Sequence, residues 1–545
     1  LPLDNTGYPT PFVAGVFTLT QNLFISSGAY FNFQAENMPG ITWSLDVTFD
    51  ASGSVNYASS GGSQSYLMST YPLNQWFEQK IVIDLNNNLW EVFHDGVSQG
   101  SFSSLVNQIA LIDYYPTAGQ EFYVDDVCLE YIPPQLDPLN AKLLNVSTLQ
   151  GLAGQNRYPS VEIRNLGLND INSFDVTFDY NGTQTTENVS GLNLTSMQKH
   201  TVNFTNTITL SSFPPTATVY VHNINGGQTQ NTSDDTLTAI LNVVVPAPGK
   251  LVIGERFTGT WCGWCPRGIV NENWMDNDYE GYWQSIAVHN GDPMVNTNYD
   301  NGMSSLNNGF PGGIVDRFNT IDPAQFETEF LQRIITPPHA IINNYCVRSN
   351  DTLSVTMNID IVNNISGILK AVCVLVEDSV TGIGPQYYQT NYYSGGGSGS
   401  LIDVDGTDWA NKPNNVPDNL MIYRNVARDI SPSVSGVQLS NFSYSTGQNE
   451  QVIFDFIIDP TWDLSQLKIV SFLMNYSYID NAGATDYYDA INNYNLFGCT
   501  DSLANNFDSL AVLDNGSCYY CDISSLITIT HPSDSITCDG IIIVN

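Results

Sequence analysis

Cys262 and Cys265 lie in the stretch Lys250 to Gly268, KLVIGERFTGTWCGWCPRG. Leu251 to Phe257 is apolar and bounded by turn residues, which predicts a buried strand. Thr258-Gly259-Thr260 breaks it. From Cys265 into Glu272 and Met275 the pattern suits a helix, with Pro266 in the first turn, where proline is tolerated. Cys262 then falls at or just before a helix N-terminus. Orphan N–H groups and the helix dipole favour a thiolate there, and a lowered pKa makes a cysteine an attacking nucleophile. Cys265, one turn on, is placed to resolve a mixed disulfide. Two other chemistries fit the spacing: a static disulfide, or half a zinc site, for which no second Cys or His pair is evident.

A strand, then WCGWC, then a helix resembles the thioredoxin superfamily. Gly309-Phe310-Pro311-Gly312-Gly313-Ile314-Val315-Asp316 resembles that superfamily's loop and strand, whose proline is cis and faces the dithiol. The resemblance gives Pro311 the role of shaping a substrate groove. Between these motifs, Ser285 to His289 reads as a strand and Asn298 to Leu306 as a short helix. Ala324 to Ile335 reads as an amphipathic helix that closes the unit. For His289, near a strand end, a surface or packing role is expected rather than catalysis.

The chain that carries this unit has 545 residues, too many for one core. Sixteen basic residues against 54 acidic ones give a formal charge of −38. So acidic a surface repels nucleic acid and anionic membrane, and it suits calcium and an extracellular or cell-surface setting. No apolar run approaches the roughly twenty residues of a membrane-spanning helix. Leu1 opens in the middle of a strand-like pattern, with neither initiator Met nor signal peptide, so the expectation is a piece of a longer parent chain. The nine cysteines sort by position into Cys262/Cys265, Cys346/Cys373, Cys499/Cys518 and Cys521/Cys538, with Cys128 left over. Four local disulfides and an oxidising compartment are expected.

The fold class expected is multidomain and mainly β, with jelly-roll and immunoglobulin-like sandwiches flanking one α/β, thioredoxin-like domain. Residues 1–132 show alternating strand patterns, with Asp95-Gly96 marking a hairpin. WFEQKIVIDLNNNLWEVFHDGVSQGSF, with FYVDDVCLEY further on, resembles the concanavalin-like jelly rolls of secreted bacterial proteins, a group that often binds glycans. Asp125-Asp126 reads as a solvated strand end, with calcium ligation as the alternative. Residues 133–247 follow a proline linker with short strands at the spacing of an immunoglobulin-like sandwich, and VEIRNLGLNDINSFDVTFDYNG resembles adhesion-type modules. Residues 248–338 are the α/β unit, and 339–493 return to strands as a further sandwich. Asp403, Asp405 and Asp408, in or just past the loop from Tyr392, have the spacing of a cation site, against which stands a solvated loop.

FTGTWCGWCPRG followed by NVARDIS at Asn425 resembles the outer-membrane-associated, thioredoxin-like proteins of Bacteroidetes over residues 249 to 493. Residues 494–520, GCTD through DNGSC, resemble a repeat of proteins exported by the type IX secretion system and the acidic calcium repeats of thrombospondin. That resemblance makes Asp501, Asp508 and Asp514 candidate calcium donors. Residues 521–545 resemble the start of a gliding-adhesin repeat. Asp followed by Ser or Thr and an aliphatic residue resembles a Bacteroidetes O-glycosylation pattern, with Thr236, Thr352, Ser379, Ser502, Ser509 and Ser535 as acceptors. Two functions compete. One is an extracellular thiol–disulfide oxidoreductase that needs no cofactor. The other is a non-enzymatic adhesin or filament component with an inert disulfide. Surface or outer-membrane proteins are the expected partners, with calcium and a glycan as possible ligands.

Overall fold

The computed structural model describes residues 3, 10–38, 40–62, 64–494, 497–509, 511, 513–514, 518–520, 528–530 and 541–543. The chain is mainly β and forms two compact units. The first holds residues 1–149, 156–209 and 213–241, and the second holds 150–155, 210–212 and 242–545. Among the described residues no helix is long and apolar enough to cross a membrane.

The first unit opens with two five-stranded antiparallel sheets packed face to face. Val16–Ile25 alternates strictly between half-buried and buried positions, the two-residue period of a strand with one face on a core. Phe17, Leu19, Leu23 and Ile25 meet Phe31, Phe33, Leu45 and Val47 in that core. Asp95 (φ 47°) and Gly96 (φ 73°) take the two positive-φ positions that a tight hairpin between Leu89–His94 and Val97–Phe102 requires. Asp125 and Asp126 lie at a bulge, where Asn22 donates to Asp126 (2.9 Å). A second sandwich follows. Ala141–Val146, Ser160–Asn165 and Lys199–Asn203 form one sheet, while Ile171–Tyr180, Thr183–Leu194 and Thr216–His222 belong to the other.

In the second unit, strand β1 (Val252–Thr258) leads to helix α1 (Cys265–Asp278), β2 (Trp283–His289), α2 (Thr297–Met303), β3 (Gly312–Val315), β4 (Thr320–Ile321) and α3 (Phe326–Arg333). β1 pairs parallel with β2 and antiparallel with β3, and β3 pairs with β4. The observed bounds lie within a few residues of those predicted. The last helix is preceded by a 3₁₀ turn at Pro323–Gln325 that Asp322 caps.

β1 is buried throughout because helices cover both faces of the sheet. Met275, Tyr279, Phe326 and Phe330 pack on one side, and Tyr299 and Met303 on the other. Its two charged residues therefore each require a buried partner. Glu255 meets Arg317 at 2.7 Å and accepts the Tyr299 hydroxyl at 2.5 Å on one face. Arg256 pairs with Glu272 of α1 on the other.

Next come β5 (Ala340–Ser349), β6 (Thr352–Ile361), β7 (Leu369–Glu377), β8 (Val426–Ser431), β9 (Asn449–Ile457), β10 (Leu467–Asn475) and β11 (Tyr478–Asp486). The sequence reading separates residues 248–338 from 339–493, but one sheet runs through both in the order β4-β3-β1-β2-β8-β7-β10-β11. The junction is the Ala287–Val426 pair of β2 and β8. The sheet β5-β6-β9 closes a sandwich over β7 and β10.

Cys346 and Cys373, expected to pair, are free thiols in that sandwich core. The expectation assumed neighbouring strands. β5 instead pairs with β6, and β7 pairs with β8 and β10, so the two cysteines belong to opposing sheets. Burial pushes both thiols up to about 12.

Candidate functional site

The turn between β1 and α1 is built on its own backbone. The Cys262 N–H donates to Gly259 O (3.0 Å) and the Cys265 N–H to Cys262 O (3.2 Å). A Cβ on Gly259 would stand 2.6 Å from the Trp261 indole nitrogen and 2.9 Å from Asn290 O, so a side chain has no room there. Trp261 donates to Asn290 O at 2.7 Å. Cys262 and Cys265 are joined as a disulfide, Cys265 opening α1 and Cys262 lying just ahead of it. Pro266 occupies the first turn, and no side chain caps this end.

Pro311 follows a cis peptide bond from Phe310 and leads into β3. Gly268 lets α1 approach: a Cβ there would lie 3.3 Å from Pro311 Cβ and 3.0 Å from the Arg256 side chain. Phe310 packs edge-on against Trp261, the ring centres 5.2 Å apart. Cys262, Cys265 and Pro311 thus share one end of the sheet.

What lies over this end is not apparent from the sequence. A segment from the long β7–β8 connection covers it. The Thr390 N–H donates to Thr260 O (2.8 Å), the Gln389 side chain to Cys262 O (2.9 Å) and the Tyr392 N–H to Gly263 O (2.9 Å). The Tyr392 ring lies so close that a Cβ on Gly263 would stand 2.5 Å from it. Trp264 packs edge-on against both Tyr392 and Tyr393. Under this cover Cys262 is 4% exposed and Cys265 0%, while Trp261 and Trp264 beside them are 49% and 41% exposed.

Beneath α1 runs a buried polar seam. Asn425 donates to Glu272 (3.0 Å) and to Asp276 (2.6 Å), and Ser285 donates to the other oxygen of Asp276 (2.7 Å). Burial first, and the neighbouring Glu272 carboxylate second, push Asp276 up to about 7. His289 is buried, its Nδ1 2.7 Å from Asp292, whose same oxygen accepts the Thr260 N–H at 3.0 Å. His289 is thus buried rather than at the surface, and Asp292 links it to Thr260, two residues ahead of Cys262.

The remaining candidates are dispersed. Cys499 and Cys518 are bonded, and Cys128 is a free, exposed thiol. Asp501 accepts the Leu503 N–H (2.8 Å) and the Tyr520 hydroxyl, while the Asp508 N–H donates to Cys499 O (2.9 Å). The side chain of Asp514 lies outside the described residues, as do Cys521, Cys538 and Ser535. The carboxylates of Asp403, Asp405 and Asp408 accept N–H groups of their own loop. Among the described residues no group of three His, Cys, Asp or Glu is arranged to hold a metal ion. Thr236, Ser379, Ser502 and Ser509 are exposed, and Thr352 is half-buried.

No family model and no curated protein matches the chain. Part of it is similar to galectin LEC-6 of Caenorhabditis elegans, at 16% identity over 23% of this chain and 88% of that one, with a TM-score of 0.18. Sheep galectin-11 in complex with glycerol is 13% identical over 23% of this chain and 99% of its own, with a TM-score of 0.18. The carbohydrate binding module CBM66 from Bacillus subtilis is 13% identical over 22% and 76%, also at 0.18. At such scores these likenesses carry no argument about the chain as a whole.

Proposed function

We propose that this is an extracellular, surface-type modular protein whose α/β unit is thioredoxin-like and whose Cys262–Cys265 pair exchanges disulfides with a protein substrate. One observation carries the reading. The pair joins β1 to α1 in a sheet ordered β4-β3-β1-β2, and Pro311 enters β3 against the same end of α1. Disulfides in a chain this acidic favour an oxidising compartment.

In the reduced form the Cys262 thiolate attacks one sulfur of a substrate disulfide. A bond forms to Cys262, and the substrate's other sulfur leaves as a thiolate and takes up a proton. Cys265, losing its proton, attacks Cys262 Sγ, the mixed disulfide breaks, and the second substrate sulfur leaves. Two electrons and two protons pass to the substrate, and the pair ends as the disulfide. In the reverse direction a substrate dithiol is oxidised.

A second reading, an inert disulfide in an adhesive or structural protein, is favoured by the cover over Cys262. Trapping separates the two. The reduced full chain carrying Cys265→Ser, incubated with oxidised glutathione, is expected to accumulate a mixed disulfide on Cys262. The chain carrying Cys262→Ser is not. Equal and negligible trapping in both would leave the inert reading standing.

A further inference from the structure

Cations are scarce in this chain, 16 in 545 residues, yet three of them stand side by side in the first unit. Across the sheet of Ala141–Val146, Ser160–Asn165 and Lys199–Asn203, Arg164 is in register with Lys142 on one side and Lys199 on the other. Like charges placed directly opposite one another in a sheet oppose folding. Lys199 has a carboxylate partner, Glu162, at 3.3 Å. Arg164 is 3% exposed, and among the described residues no carboxylate pairs with it: its Nε has no hydrogen-bond partner there, and one Nη donates at 3.4 Å to the neutral amide of Gln108. Burial lowers its pKa to about 10, and the nearby Glu162 and Glu36 do not make good the loss. A buried guanidinium without a counter-ion is costly, and guanidinium groups bind planar oxyanions through paired N–H groups.

This arginine lines a cavity of about 650 Å3, within the size range of small-molecule sites. One wall is the turn Thr195–Lys199, held by the Met197 N–H donating to Asn165 O (2.7 Å) with Met197 at φ 71°, a backbone conformation rare outside glycine. Thr10, Pro11, Val13 and Glu36 belong to the same lining. Among the described residues two cations and one carboxylate line it, one positive charge in excess. The balance suits a monoanion better than a phosphate dianion. The lining also holds the hydroxyl-bearing Thr10, Thr195 and Ser196 and the apolar Pro11, Val13 and Met197, which supply the polar and apolar groups that a sugar ring requires.

We propose that this cavity binds a carboxylated sugar, a uronate, with Arg164 holding the carboxylate. The shared chemistry is a planar carboxylate, which a glycan's uronate or a simple organic acid supplies. Calorimetric titration of the full chain with glucuronate, acetate and glucose at constant ionic strength distinguishes them. Saturable binding of glucuronate, at least tenfold weaker binding of acetate and none of glucose are expected. Arg164→Gln should abolish glucuronate binding, and Lys199→Gln should weaken it several-fold. A second readout is independent of the ligand. Because no described carboxylate pairs with the native arginine, Arg164→Gln should raise the melting temperature of the ligand-free chain, whereas an arginine serving only structure would lower it on removal. Equal binding of acetate and glucuronate would overturn the sugar assignment. Absence of saturable binding, or glucuronate binding unchanged by Arg164→Gln, would overturn the site.

Discussion

Replacing Asp276 with asparagine should remove the fall in stability around α1 between about pH 4 and 7. In the folded chain this carboxyl titrates near 7, against 3.8 for the free group. Folded protein therefore binds a proton that unfolded protein has released between about pH 4 and 7, so stability falls as pH rises through that window. The shift spans about three units at about 1.4 kcal/mol each, or about 4 kcal/mol lost on going from acid to neutral pH. Asp276 is half-buried and lines a surface cavity, so solvent screening makes this an upper figure. Asparagine keeps the shape, can donate to Ser285 and accept from Asn425, and never ionises. Asp276→Asn is expected to match the parent near pH 4 and to exceed it by a few kcal/mol at pH 8. Hydrogen exchange of the β1, β2 and α1 amides in the full chain reads the stability of this unit directly. The same decline with pH in variant and parent, or a variant less protected at pH 8, would refute the reasoning.

Other consequences are testable. Gly263→Ala must displace the Tyr392 ring, now so close that a Cβ would be 2.5 Å from it. With one or two cover hydrogen bonds of about 1 kcal/mol each weakened, dithiothreitol should reduce the Cys262–Cys265 disulfide about tenfold faster. Glu272→Gln leaves Arg256 charged in the interior and should destabilise the second unit by about 3–5 kcal/mol in urea unfolding. Cys346 and Cys373, with thiols pushed up to about 12 by burial, should resist iodoacetamide at pH 8 in native protein while exposed Cys128 reacts.

The parts of this structure that are local in sequence were legible in it. The apolar run before CGWC, the proline in the helix's first turn and the Asp95-Gly96 hairpin are each set by a few consecutive residues, and each took the expected form. What was not legible depends on distant pairings. The Ala287–Val426 contact that fuses two expected domains into one sheet joins strands far apart in the chain. The cover at Gln389 and Tyr392 lies in a connection with neither strand nor helix period, and it meets the Cys262 turn more than 120 residues away in the chain. Cys346 and Cys373 lie on strands close in the chain, but β5 pairs with β6 and β7 with β10, which puts them in opposing sheets. The isolation of Arg164 likewise depends on distant residues, Gln108 and the Thr10, Pro11 and Val13 that line the cavity beside it.

The reduction potential of the Cys262–Cys265 pair in the full chain, equilibrated against glutathione and read by thiol trapping with mass spectrometry, tests the central claim most directly. A value between about −120 and −270 mV, the range of thiol–disulfide exchange proteins, is expected if this site exchanges disulfides. A value below about −300 mV would mark a structural disulfide and contradict that function.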